Sequence, residues 1–235
     1  MITLPGRRAS VEPPAGAPSG LPAPGRFAHL HPDDGACLME AAALLGTGRF
    51  TDSPAGTHPA LAALARVVND NVGDDARHAL WPLAADLADA RPAGRAYPPL
   101  LVGTVVDAAR RVCPASRRLA RNGRACRQRT ARLADAPAGG PAARVADLLW
   151  WHGPGRRRLE QALRVLCAAP EADRLLSRLL RQAVTRARED AGVSAARLGA
   201  GGMGEGRGLV AARQRDVRAG GGGRRTDSEA DRAAP

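Results

Sequence analysis

The chain has 235 residues and a formal net charge of +12 at neutral pH, a length that suits one domain with extensions. Every basic residue is arginine, which excludes a phosphate loop of the Walker type, since that loop needs a lysine. No G-x-S-x-G or H-E-x-x-H motif occurs, no apolar run is long enough to cross a bilayer, and the start, MITLPGRRAS, lacks the apolar stretch of a secretory signal.

Only Phe27, Phe50, Trp81, Tyr97, Trp150 and Trp151 are aromatic. A core must therefore be built from Leu, Val and Ala, and with strand formers scarce it is helical. The expected fold is all-α: an irregular bundle of six to eight helices over 26–192, with a possible subdivision near 91–99. Residues 1–25 are rich in Pro and Gly, and residues 193–235 in Gly and Arg. Neither segment has the apolar content to offset chain entropy, so both are expected to be disordered.

In chain order, His31-Pro32-Asp33-Asp34 reads as a helix start, with Asp33 or Asp34 capping the first turn. Leu38, Ala41, Ala42 and Leu45 follow on one face, and Gly46 is the expected left-handed stop. Thr57 is the expected cap of a second helix, with Pro59 in its first turn. Leu61, Leu64, Ala65, Val68 and Val72 form its stripe, and Gly73 ends it. Asp74 or Asp75 opens a third helix carrying Leu80, Leu83, Ala84 and Leu87, which Pro82 should kink or shorten.

The block Asp34-Gly35-x-Cys37-Leu38-Met39-Glu40, followed by Thr57-His58-Pro59 and Leu61 to Asp70, resembles an uncharacterised protein family of high-GC bacteria. The resemblance covers residues 30–87. That family has no established activity, so no residue inherits a role from it.

After a Pro- and Gly-bearing break at 91–99, Leu101, Val105, Ala108 and Val112 space a helix that ends before Pro114. Pro114 or Ser116 begins a strongly basic one. No acid occurs between Asp107 and Asp135, and the apolar residues thin to Leu119, Cys126 and Leu133, so most of its circumference should be exposed. Pro141 opens a short helix with Val145, Leu148 and Leu149. Trp150 and Trp151 are adjacent and cannot face the same way, so one is expected in the core and the other at an edge or on a partner. Leu159, Ala162, Leu163 and Leu166 mark a further helix. Ala172 to Ala187 mark the most regular one, with Arg174, Arg178, Arg181 and Arg188 outside its stripe and Gly192 at its end.

Charge divides the chain. Residues 29–107 carry five Arg against ten acids, and residues 108–192 carry nineteen Arg against seven. An acidic front and a basic back attract each other, within one molecule or between two. Two readings of the exclusive use of arginine stand: the base composition of a GC-rich genome, which would also explain the excess of Ala, Gly and Pro, and selection for guanidinium chemistry. The pI of about 11.3 is therefore weaker testimony to nucleic-acid binding than its size suggests.

Cys37, Cys113, Cys126 and Cys167 show no metal or redox spacing, and the default is a cytoplasmic protein with reduced thiols and no cofactor. His31, Cys37, Glu40 and His58 are possible metal ligands. The simpler reading puts both histidines at helix starts, Cys37 in the core and Glu40 in solvent. Asp33, Asp34 and Glu40 as an acid–base group yields to helix capping in the same way. Gly199-x-Gly201-x-x-Gly204 matches a dinucleotide fingerprint in form, without the preceding strand that the fingerprint needs.

One functional candidate remains: Arg110, Arg111, Arg117, Arg118, Arg121, Arg124 and Arg127. Guanidinium forks match phosphates, and a helix bearing them suits nucleic acid or an acidic surface. The expected function is a non-enzymatic interaction or regulatory protein with an unknown protein partner. A nucleic-acid-associated protein is the alternative, and no membrane partner is expected.

Overall fold

The computed structural model describes residues 20–134, 136 and 139–200, with the side chains of 193–200 excepted. By internal contacts the chain divides at Gly199, and the first unit, Met1–Leu198, holds the fold. It is all-α: the described residues contain no strand, only isolated bridges. The helices are α1 (Leu38–Thr47), α2 (Pro59–Asn71), α3 (Asp74–Leu80), the short α4 (Leu83–Leu87), α5 (Tyr97–Val112), α6 (Arg117–Ala134), α7 (Pro141–Trp150), α8 (Arg156–Cys167) and α9 (Ala172–Ala200). A 3-10 turn at Pro32–Asp34 precedes α1, and a π turn at Trp151–Gly155 joins α7 to α8. No described helix is long and apolar enough to cross a membrane.

The first half of α1 lies inside the molecule, while Leu45, expected on its buried face, is exposed with Gly46 and Thr47. Leu38, Met39, Glu40, Ala41, Ala42 and Ala43 are buried in succession, as expected of a helical segment surrounded on all sides. It packs on α2 and α4, while α5 packs on α6 and α8 and touches α2. One apolar cluster runs from Ala36 to Ala187, with Trp81 its largest fully buried side chain. Residues on either side of 91–99 belong to it.

Several boundaries differ from expectation for local reasons. The cap of α1 is Cys37, not Asp33 or Asp34. Its Sγ accepts the Glu40 N–H at 3.5 Å, and the Glu40 carboxylate accepts the Cys37 N–H at 2.7 Å, a capping box with sulfur in place of a hydroxyl. Asp33 and Asp34 belong to the preceding 3-10 turn. α1 stops at Gly48 (φ 68°) rather than Gly46. In α2 the capping acceptor is His58 Nδ1, 3.1 Å from the Ala60 N. Thr57 instead donates its hydroxyl to the Leu87 carbonyl at 2.5 Å, stapling α2 to the end of α4. Pro82 divides α3 from α4 as its missing N–H requires.

Gly192 does not end α9. The backbone of 193–200, expected in the tail, continues the helix to Ala200, because Ala, Arg and Leu favour it and one glycine costs only about 1 kcal/mol. At the other end, Gly25 exchanges backbone hydrogen bonds with the Ala36 region: its N–H donates to the Ala36 carbonyl at 2.7 Å, and the Ala36 N–H donates to Ala23 at 2.9 Å. The remainder of the expected disordered ends, 1–19 and 201–235, lies outside the described residues, as does most of the Gly199–Gly204 match.

Candidate nucleic-acid interface

α6 owes its form to a narrow apolar seam. Leu119, Gly123 and Cys126 are its buried residues, spaced to lie on one side. Ser116 Oγ accepts the Leu119 N–H at 3.3 Å and caps the first turn. The approach to α5 is close. A methyl on Gly103 would stand 3.3 Å from Cys126 Cβ, and one on Gly123 would stand 3.2 Å from an Asp107 oxygen. The seam therefore turns the opposite face of α6 to solvent. Arg117, Arg121, Arg124 and Arg132 follow one another on that face, and Arg118 lies to one side; all five are exposed. From Arg117 to Arg132 the stripe runs roughly 22 Å at about 1.5 Å per residue.

The structure divides the seven arginines read from the sequence into two kinds. Arg127 pairs with Asp107 at 3.2 Å, and Arg110 reaches the same carboxylate at 3.8 Å. Both are held down on the α5–α6 junction. Arg111, Arg117, Arg118, Arg121 and Arg124 have no carboxylate partner among the described residues. Arg129, outside the seven, turns inward. Its guanidinium pairs with Asp147 at 2.7 Å and lies 4.9 Å from the ring centre of Trp150. The acidic front thus neutralises the basic back only in part: Asp107 takes two arginines and Asp86 pairs with Arg188.

α8 widens the basic surface. The Asn122 amide donates to Gln161 at 3.1 Å, fixing α6 beside α8. Arg157 of α8 is exposed and, like the stripe, lacks a carboxylate partner among the described residues. Sequence reasoning missed it because the run Arg156-Arg157-Arg158 does not show that Arg156, also exposed, pairs with Glu160 and that Arg158 is half-buried.

The remaining candidates serve the fold. Glu40, expected in solvent, is 1% exposed. One oxygen accepts the His29 N–H at 2.7 Å; the other accepts the Cys37 N–H at 2.7 Å and lies 3.0 Å from His29 Nδ1. The cause is local: the segment Leu38–Ala43 is buried on every side and has no solvent face, so its one carboxylate is retained by donors. Asn69 extends the same knot, accepting the Leu38 N–H and donating to the Gly25 carbonyl.

Burial pushes the Cys37 thiol up to about 12, a poor nucleophile and a poor ligand. His31 is exposed beside Asp33. His58 sits edge-on to Tyr97 with ring centres 4.8 Å apart, and burial and Arg91 lower its pKa to about 4. The structure does not bring His31 and His58 together with Cys37 and Glu40, and no three His, Cys, Asp or Glu among the described residues form a metal-holding group.

Both tryptophans are half-buried against the core, Trp150 under Arg129 and Trp151 at the end of a trough between α2 and α8. That trough has no linear signature and was not legible in the sequence. Comparison with protein-family models, with curated proteins and with solved structures found no match.

Proposed function

We propose that the protein is a non-enzymatic binding protein that lays α6 along the phosphate backbone of duplex nucleic acid. One observation carries this reading: Arg117, Arg118, Arg121 and Arg124 stand exposed on one helix without a carboxylate among the described residues, while their neighbours Arg110, Arg127 and Arg129 are tied to acids. Unneutralised guanidinium groups at helical spacing suit a row of phosphates and release counterions on contact. The face offers no aromatic side chain for stacking unpaired bases, which favours a duplex over a single strand. It also offers little that reads base edges, so binding is expected to be indifferent to sequence.

The ionisable groups of the front half support the same reading, being engaged in structure rather than gathered in a reactive cleft: Glu40 with backbone N–H groups, His58 as a cap, and Arg77 with the Asn69 and Val72 carbonyls. Membership of the high-GC bacterial family stays a proposal that brings no activity with it.

A mobility-shift titration with random-sequence duplex DNA tests the reading. The wild-type chain is expected to shift duplexes of unrelated sequence alike, with affinity falling steeply as salt rises. No binding at low salt would reject it. A strong preference for an acidic protein from the native lysate, retained after nuclease treatment, would transfer the stripe to a protein partner.

A further inference from the structure

α7 is inside out. Its Asp147 side chain faces the molecule, pairing with Arg95 at 2.6 Å and Arg129 at 2.7 Å, and Trp150 packs beneath the same guanidinium. These contacts turn the apolar side outward: Val145 is 55%, Leu148 57% and Leu149 67% exposed. The three residues stand at spacings of three and four, a single stripe about one turn long near the C-terminal end of α7. None of α7 is buried, so among the described residues the ridge has no place in the core.

A trough of matching kind lies next to it. Two cavities of about 440 and 550 Å³ share Val67, Glu160 and Leu163, and together they run between α2 and α8. The floor is apolar and partly small (Ala62, Ala63, Val67, Leu163 and Cys167), leaving room for another helix backbone. Its wall, α2, is 13 residues long and α7 is 10, or roughly 20 and 15 Å. Trp151 and His152, which directly follow α7, line the mouth of the trough. Ridge and trough are therefore contiguous on one surface.

We propose that this surface is a self-association site, in which α7 of one copy lies in the α2–α8 trough of a second copy and the reverse contact closes a two-fold dimer. A two-fold axis needs a patch that carries both halves of its own complement, and the juxtaposed ridge and trough meet that need. An amphipathic helix in a groove, anchored at spacings of three and four, is an established way for chains to associate. Each ridge offers roughly 300 Å² of apolar surface, and two ridges with their troughs bury on the order of 1,200 Å², the lower end of the range for specific interfaces. With three apolar anchors and no ion pair across it, the contact is expected to form a weak, concentration-dependent dimer. Both copies are basic: Arg91 and Arg164 on the trough rim and Arg144 on α7 face each other, while Glu160, the acid of the trough, is held by Arg156, and Arg66 is paired with Asp52. Screening by salt therefore strengthens the dimer, the opposite of its expected effect on the DNA contact.

Sedimentation equilibrium of the full chain between about 1 and 200 µM tests the proposal. The wild type is expected to move from one to two chain masses, at lower concentration as salt is raised. Leu149→Glu removes the ridge at an exposed position, and Val67→Asp or Ala63→Glu spoils the trough at half-buried ones. Each variant, its fold checked by circular dichroism, is expected to weaken association at least tenfold. A wild type monomeric throughout overturns the proposal. So does a dimer abolished by Leu149→Glu but untouched by both trough variants, since that result means ridge against ridge. DNA binding by the monomeric variants leaves the α6 reading standing, so the two proposals fail separately.

Discussion

Replacing Glu40 with Ala tests the buried knot at the start of α1. The carboxylate is 1% exposed and accepts two backbone N–H groups, from His29 and Cys37, each at 2.7 Å. The substitution leaves both donors without their acceptor, and an unsatisfied buried donor costs about 1–3 kcal/mol. Half of the capping box is also lost, at about 1 kcal/mol. Allowing for overlap, the loss is about 3–5 kcal/mol. For a domain of this size that lowers the melting temperature by roughly 10 °C or more. Urea unfolding followed by far-ultraviolet circular dichroism and by tryptophan emission measures it, Trp81 serving as the buried reporter. Asp33→Asn, in the exposed 3-10 turn, is the control and should stay within about 0.5 kcal/mol. A Glu40→Ala loss as small as the control's would refute the knot and return Glu40 to the solvent position its residue type suggests.

Two further predictions concern the α2 end of the fold. The folded pKa of His58, about 4, lies below the unfolded value of about 6.5. As pH falls below 6.5 the unfolded chain takes up a proton that folded His58 resists, so stability drops between pH 6.5 and 4, by up to about 3 kcal/mol. Protonation would also remove the Nδ1 acceptor that caps α2. His58→Asn retains a capping acceptor without the titration, and the difference between its urea midpoint and the wild type's should shrink or reverse across that window; a constant difference contradicts the assignment. At Gly56 an added methyl would lie 1.8 Å from the Ala88 carbonyl oxygen. Gly56→Ala must therefore push the loop off α4 and loosen the Thr57–Leu87 staple, at a cost of about 2 kcal/mol or more, read by the same unfolding assay.

Helix positions were legible where proline and aspartate mark them. Pro59, Asp74 and Pro82 set the limits of α2, α3 and α4 by removing an N–H or offering a charge to a helix end. The α1 cap was missed because Cys37 is a weak acceptor; Glu40 three residues on was the available sign of a capping box. The burial of Glu40 was foreshadowed by the unbroken apolar run around it, Leu38-Met39 before and Ala41-Ala42-Ala43 after. Periodicity gave the outward stripe of α6, yet Asp107, twenty residues before Arg127, decides which arginines are neutralised, and that pairing exists only in the folded chain. The α7 stripe shows the limit most clearly. Val145, Leu148 and Leu149 carry the same spacing whether they face a core or solvent, and only the Asp147 pairs reveal which.

Binding through α6, as proposed, differs measurably from binding driven by the chain's net charge. Two charge-matched variants separate the possibilities: Arg117, Arg118, Arg121 and Arg124 replaced by Gln, and Arg49, Arg174, Arg178 and Arg186 replaced by Gln. All eight are exposed, and each variant loses the same four charges. Fluorescence anisotropy with a random-sequence duplex between about 50 and 200 mM salt gives the slope of log affinity on log salt, near −0.9 per phosphate contacted. The α6 variant should lose about three to four units of slope and nearly all affinity at the upper salt concentration, while the control keeps the wild-type slope within about one unit. Equal losses in the two variants would show that net charge alone drives the binding and would contradict the account.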